Sequence, residues 1–586
     1  MSPNYNCLAQ PPSFLFIMFP LVYISSLGRF QIWLAEFPYD RRQLAIATAA
    51  SLVAYVSYKA LDFIFIRPYF SSFKQLQGPG KVESYLLGHL PRILKTQEPI
   101  VHEEWAALYG PTFQYRGLFL ARQFFTMDPR AVSHIMNHSY DYPRPQSIRR
   151  ILAELLGDGV LVAEGDVHKR QRKIMSPCFG TAQIRELVPI FNAKAFQLRD
   201  LWLHEISEHS EESGYEVDVL QGLSRATLDI IGLAGFSYNF NALVEGETNE
   251  LAMAFNDLLS PTDNIQIFPL LQVMFPILKL IPTERGRVEQ RSREVLARVG
   301  RQLIQDKKAA LLQEKDNGGA LHSKNVMGRD LLSVLAKANM ASDIKDSEKM
   351  TDEEMMGQIT TMLLAGHETT SSTTIWLLYE LSKPSQKPIQ DRLRAELLTL
   401  PEDAPMEELN ALPYLDAVIR ENLRLNAVVT ALIRQAAHDD IIPLSVPFVD
   451  RKGMERREVR IGKGDKVFMS LLAMNRDKTI WGEDALEFNP KRWFKPESHS
   501  RSSEIPGVYS GIMTFIGGPR HCIGYRFALA EMKVLANALI RNISYSLPDP
   551  EYRIEKKSEA VARPLVTLRD GTKKGCMPLI LKAVQD

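Results

Sequence analysis

The chain has 586 residues, 45% of them hydrophobic and 24% charged, with a formal net charge of +1. That balance is ordinary for a globular protein, and nothing in it points to a nucleic-acid partner. Cys7, Cys178, Cys522 and Cys576 lie far apart, without a CxxC pair or zinc spacing, which excludes a disulfide scaffold and suits a reducing compartment.

Two apolar stretches open the chain. FLFIMFPLVYISSL (Phe14 to Leu27) is short and broken by Pro20. The second, Leu44 to Ile66, is long enough as a helix to cross a hydrocarbon core of about 30 Å. It is too long for a signal-peptide core, and no small-residue cleavage pattern follows the first stretch. Arg67, Lys74 and the break Gly78-Pro79-Gly80 come next. We read 1–77 as a membrane anchor of one or two apolar segments, in contact with lipid, plus a linker. Residues 78–586 form the folded body.

In the body the helical period dominates. It predicts helices at 98–109, 129–137, 183–209, 218–234, 284–313, 329–339, 352–382, 387–398, 407–425 and 525–542. Thr351 followed by Glu354 is a capping-box pattern ahead of the apolar run MMGQITTMLLAG. Strand signals are short: FQYRGLFL near 113, EVRIG and KVFMSL around 458–471, and PLVTL with MPLIL near the end. Residues 314–326 read as a surface loop. There is no internal repeat and no second linker.

Three patterns carry chemistry. In LLAGHETTSS, Ala365 and Gly366 have almost no side chain, and the Glu368 carboxyl neighbours the Thr369 hydroxyl. Such a threonine can instead bond back to a carbonyl four residues earlier. In LPYLDAVIRENLRL, Glu421 and Arg424 share one helix face; an exposed pair there contributes little. In FIGGPRHCIG, glycines 517, 518 and 524 free the backbone around Cys522. Arg520, His521 and the start of the following helix supply positive potential to a thiolate. That setting suits an anionic sulfur bonded to a metal, and cysteine is one of the proximal ligands of haem iron. A structural cysteine in a tight turn is the alternative.

Phe515, Gly518, Arg520, Cys522 and Gly524 match F-x-x-G-x-R-x-C-x-G at every fixed position, and Ala528 fits its extension. With the other motifs in the same chain order, the sequence from about residue 78 onward resembles the cytochrome P-450 superfamily, the haem-thiolate monooxygenases, and in particular membrane-anchored fungal members. The resemblance implies a mainly α fold, a single large helical haem-thiolate domain with small β-sheets. It implies haem b with its iron on Cys522, an oxygen-binding helix at Ala365 and Gly366, and proton relay by Glu368 and Thr369. It implies a structural triad of Glu421, Arg424 and Arg492, the last from FNPKRW, and haem-propionate contacts from His168, Arg172 and Arg434. His168 stands where the family usually has Trp, and LRLNAVV lacks the usual prolines.

Members of this kind sit in the endoplasmic reticulum membrane with the catalytic domain in the cytosol. They use O2 and take NADPH electrons through a flavoprotein reductase. Charge suggests Lys169, Arg170, Lys173, Arg526 and Lys533 as reductase contacts. The segment 145–157, with Leu364, Ala365, Thr370 and Val428 to Leu432, is expected to face a small lipophilic substrate, a terpenoid or other secondary metabolite; a fatty acid or xenobiotic fits equally. The rival functions are a haem-thiolate isomerase or peroxygenase, expected to lack the acid–alcohol pair, and a non-catalytic haem-binding membrane protein, expected to carry a damaged motif.

Overall fold

The computed structural model of the chain describes residues 41–61, 71–95, 100–209, 214–259, 280–316, 330–340, 348–495, 502–548, 552–558 and 561–584, with a few isolated positions between. The chain divides into Met1–Ile66 and Arg67–Asp586. The described part of the first unit is one helix, α1 (Arg41–Leu61), which leaves Ile46, Val53, Tyr55, Tyr58 and Leu61 exposed. Among the described residues no helix is long and apolar enough to cross a membrane. The expected span is therefore not borne out. The helix opens on Arg41 and Arg42 and dilutes its apolar residues with Thr, Ser, Tyr and Lys59. The stretch Phe14 to Leu27, and residues 62–66 of the second stretch, lie outside the described residues.

In the second unit, α2 (Ile100–Tyr109) leads into β1 (Thr112–Arg116) and β2 (Arg122–Thr126). FQYRGLFL does not make one strand. Phe119 and Leu120 take left-handed backbone, φ 52° and 59°, and return the chain as the antiparallel partner β2. Two further helices follow beyond those expected, α3 (Gln146–Leu156) and α4 (Gly165–Met175). The sequence of α4, GDVHKRQRKIM, is mostly polar, and the face it buries carries His168 and Gln171 beside Met175. Then come α5 (Thr181–His209), β3 (Tyr215–Asp218), α6 (Val219–Phe236), α7 (Glu250–Leu259), α8 (Glu284–Asp316) and α9 (Leu331–Met340). The loop expected at 314–326 is helical to Asp316 and otherwise lies outside the described residues.

The helix α10 (Asp352–Ser382) follows, buried along most of its length. Its start is the predicted capping box: Glu354 N–H donates to Thr351 Oγ1 at 3.1 Å, and Thr351 N–H donates to Glu354 Oε2 at 3.0 Å. After α11 (Lys387–Leu397), the helix expected at 407–425 breaks in two, Met406–Ala411 and α12 (Pro413–Leu425). Pro413 has no N–H to continue the first piece.

The remaining elements are β4 (Ala431–Gln435), β5 (Asp440–Val449), β6 (Glu455–Ile461), β7 (Lys466–Ser470), α13 (Tyr525–Asn542), β8 (Ile543–Ser546), β9 (Arg553–Ser558), β10 (Ala562–Thr567), β11 (Lys573–Lys574) and β12 (Pro578–Ala583). EVRIG and KVFMSL are both strands but join different sheets. β6 pairs with β5, while β7 lies parallel to β2 and antiparallel to β4 in the order β1-β2-β7-β4. β10 sits between β9 and β11, and β12 between β3 and β8. The fold is mainly helical, with these small sheets.

Candidate active site

The loop Phe515–Gly524 is held by its backbone. Gly518 has φ +67°, and an added Cβ would lie 2.4 Å from the Met136 carbonyl oxygen. Cys522 N–H donates to Phe515 O at 2.9 Å. His521 Nδ1 donates to Gly518 O at 2.9 Å, which leaves Nε2 as an acceptor for Arg172 Nη2 at 3.0 Å. Arg172 Nη1 also donates to His521 O at 2.8 Å. Arg172, from α4, thus clamps the residue next to Cys522. Burial pushes the Cys522 thiol up, opposed by the Gly524 backbone and the Arg172 charge.

Beside this loop lies an excess of buried positive charge. Arg520 donates Nη1 to Ala163 O at 3.1 Å and pairs with Glu164. Arg144 Nη1 is 3.8 Å from the same carboxylate. Arg434, on β4, is only 2% exposed and donates to its neighbour's carbonyl, Ile433 O, at 3.1 Å. Burial, with the charges of Arg144 and Arg520, pushes the Arg434 guanidinium down to about 9; burial and Arg520 push Arg144 down to about 10. His168 is buried with Nδ1 3.2 Å from the Tyr140 hydroxyl. Burial and the charges of Arg520, Arg172 and Arg144 push it down to about 3, so it is neutral in ordinary buffer.

Arg144 Nη1, Arg149 Nε and Arg520 Nε have no hydrogen-bond acceptor. Buried guanidinium hydrogens without acceptors are destabilising. A prosthetic group carrying two carboxylates, as haem does, supplies the missing acceptors and charge, so the residues present fit it. Arg144 and Glu164 were not legible as site residues in the sequence. The one local signal is that Arg144 lies between Pro143 and Pro145, which favour extended backbone before each proline.

On α10, Ala365, Gly366 and Thr369 stay partly exposed while the neighbouring positions are buried. Thr369 Oγ1 donates to Ala365 O at 2.6 Å, the bond-back geometry, which leaves its lone pairs free to accept. Two expectations need correction here. Gly366 does not leave room for a ligand in the direction of its missing side chain: an added Cβ would sit 2.8 Å from Ile231 Cδ1 on α6, so its bareness lets two helices approach. The Glu368 carboxylate does not meet the Thr369 hydroxyl. Successive helix residues point about 100° apart, and Glu368 is taken by Arg563 of β10 through Nε–Oε1 and Nη2–Oε2 contacts of 2.5 Å each.

Among the residues expected to face substrate, Leu364 is buried, Val429, Ala431 and Leu432 are partly open, and 145–157 is largely α3. Thr370 is buried and its side chain meets Glu531 of α13, so it does not line open space.

Glu421, Arg424 and Arg492 lie together. Arg424 donates Nε to Glu421 Oε2 and Nη2 to Oε1, each at 2.9 Å, and Arg492 Nε lies 3.5 Å from Oε1. Asn489 N–H and Trp493 Nε1–H complete the carboxylate shell. Arg424 Nη1 donates to Asn475 O at 2.8 Å; Asn475 in turn accepts from Met513 N–H at 2.8 Å and donates to Thr514 Oγ1 at 3.0 Å. Asn475, unmarked in the sequence, therefore joins the triad to the residues just before Phe515.

Lys169, Lys173 and Arg526 are exposed, and Arg170 is half-buried against Glu354 and Lys349 O. Lys533 is not a surface contact: it is buried, with Nζ 3.0 Å from both Asn410 Oδ1 and Asp416 Oδ1. Its place on the inner face of α13 overrides its charge.

The cytochrome P450 family model matches residues 79–567. Cytochrome P450 monooxygenase 205 of Postia placenta is 44% identical over 542 residues, covering 92% of this chain and 97% of that protein. Cytochrome P450 monooxygenase 128 of the same fungus is 43% identical over the same shares. Cytochrome P450 monooxygenase claO of Ampulloclitocybe clavipes is 35% identical over 524 residues, 87% of this chain and 93% of its own. Likeness that runs through nearly the whole of both partners, together with a family match spanning the described site, leads to one conclusion: the chain belongs to the cytochrome P450 family.

Proposed function

We propose that this protein inserts one oxygen atom from dioxygen into a small lipophilic molecule, by hydroxylation or epoxidation, with NADPH electrons delivered by a flavoprotein reductase. Its family is one of oxidoreductases that bind haem through a cysteine thiolate. The observation that carries the reading is the buried set of arginines beside the Cys522 loop, in which Arg144 Nη1, Arg149 Nε and Arg520 Nε lack hydrogen-bond acceptors. A haem bound there supplies the dioxygen binding and oxygen-atom transfer that side chains cannot provide, with the thiolate favouring O–O cleavage.

In this reading Cys522 holds the iron, and Arg144, Arg434 and Arg520 hold the propionates. His168, neutral, adds at most one N–H. Arg172, committed to His521, orients the loop rather than reaching a propionate. Thr369 Oγ1 accepts and passes a proton on the open side of α10. The triad keeps the loop in shape. A terpenoid or other fungal secondary metabolite is the substrate class we favour; what supports it is the apolar character of Leu364, Ala365 and the 428–432 loop, and the fungal relatives. The same proposal puts the protein at the endoplasmic reticulum membrane with its body in the cytosol, supported by the exposed apolar side chains of α1.

The test is the absorption spectrum of the reduced protein under carbon monoxide, beside Cys522→Ser. A red-shifted Soret band that the variant loses is the expected result. Absence of haem, or a band indifferent to the substitution, overturns the reading.

A further inference from the structure

Arg563 joins three elements. From β10, its fork grips Glu368 of α10, and its Nη1 lies 3.4 Å from Asn256 Oδ1 of α7. The residue before it, Ala562, donates N–H to Val428 O at 2.8 Å and accepts from Trp376 Nε1 of α10 at 2.9 Å. Val428 begins the loop read above as facing substrate. Glu368 and Arg563 are both buried, at 1% and 4% exposure.

The other neighbours of Glu368 hold it weakly. Ser372 Oγ donates to Oε1 at 3.2 Å. His367 Nε2 is 3.8 Å from Oε2 and has no hydrogen-bond partner. His367 Nδ1 faces Leu363 O at 2.5 Å, and a carbonyl can only accept, so in the neutral ring the proton is on Nδ1 and Nε2 is bare. Burial pushes that ring's pKa down, against the opposing pull of Glu368 and the Leu363 carbonyl. Two parallel N–H bonds from a planar guanidinium fix both the position and the plane of a carboxylate, which a lysine cannot do.

We propose that Arg563 is a positioning residue for the chemistry of Glu368, holding the carboxylate away from Thr369 and tying its orientation to α7 and to the backbone of the 428–432 loop. The inference rests on the monooxygenase reading. It predicts that proton delivery along α10 changes when the fork is lost, even where the fold is kept.

The test uses holoprotein in three forms: wild type, Arg563→Lys, and the double variant Glu368→Gln/Arg563→Met, which leaves no unpaired buried charge. The carbon monoxide spectrum reports the proximal side and is expected to stay the same in all three. The readout is the rate at which reduced protein reoxidises in air-saturated buffer, across neutral pH and in H2O against D2O. Arg563→Lys is expected to change that rate by on the order of tenfold and to alter its pH profile. The double variant is expected to show a similar kinetic change with an unaltered melting temperature. A lower melting temperature with a wild-type kinetic profile makes Arg563 merely structural and overturns the proposal; so do variants indistinguishable from wild type. A wild type without the thiolate band brings down the monooxygenase reading, and this inference with it. A normal wild-type band with unmoved kinetics in the variants brings down the inference alone.

Discussion

Arg424 and Glu421 face each other through two hydrogen bonds of 2.9 Å, and neither side chain has any contact with solvent. The remaining Arg424 hydrogens go to the carbonyls of Asn475, Ala485 and Glu487, so the pair is a hub that ties three backbone segments together. Removing one partner strands a charge in the interior. Glu421→Ala or Arg424→Ala is expected to destabilise the protein by roughly 3–5 kcal/mol and to abolish haem retention. Thermal unfolding and the haem-to-protein absorbance ratio check this; retention at wild-type level contradicts it.

Arg434 carries opposite consequences for the haem-free and haem-bound protein. Its guanidinium is pushed down to about 9 in the fold, well below its ordinary value. The unfolded chain therefore holds more protons between those values, and this residue's contribution to stability rises with pH through that window. At neutral pH its penalty is fully present. Arg434→Gln is expected to raise the stability of haem-free protein by roughly 1–3 kcal/mol, while a lost charge-assisted bond weakens haem retention by about tenfold or more. Melting of apoprotein and haem transfer to apomyoglobin measure the two arms.

His102 is stacked on Phe125 and Phe468, with ring centroids 5.1 and 4.7 Å away, and neither of its nitrogens finds a partner. Burial pushes it down to about 3 from 6.5. The unfolded state binds the extra proton between those values, so stability falls as pH drops through them. His102→Phe is expected to add about 1–2 kcal/mol near neutral pH and to flatten the acid side of the stability profile. Denaturant unfolding as a function of pH decides it.

Lys533 and the exposed basic residues separate by experiment. Lys169→Glu, Lys173→Glu and Arg526→Glu are expected to leave melting unchanged, to weaken reductase binding, and to reduce its salt dependence. Lys533→Glu sets a second carboxylate against Asp416 inside the protein and is expected to destabilise by several kcal/mol, roughly 3–5. Reductase titration at two ionic strengths, read with melting curves, tells the classes apart.

Thr369→Ala removes the one hydroxyl on the open side of this stretch and frees the Ala365 carbonyl. The expected outcome is loss of turnover by roughly tenfold or more, with electrons diverted to peroxide. Peroxide released per NADPH consumed is the measurement; normal coupling removes Thr369 from the proton path.

The sequence by itself determined the cysteine loop, the capped α10 and the Glu421–Arg424 pairing, because each depends on spacing within one element or one turn. Arg492, from FNPKRW, comes to lie 3.5 Å from the Glu421 carboxylate. Local pattern failed where the buried face is itself polar, as with His168 and Gln171 in α4, and where a proline splits a period, as at Pro413. Tertiary structure alone decided the rest. Adjacent in sequence, Glu368 and Thr369 part company because a helix turns each residue away from the last, and Arg563 arrives from a strand almost two hundred positions on. Arg144, Glu164 and Asn475 matter only through what folding brings beside them. Lys533 reads as a surface charge until α13 packs its face inward. Side-chain direction and long-range neighbours are set by packing, and packing is a property of the whole chain.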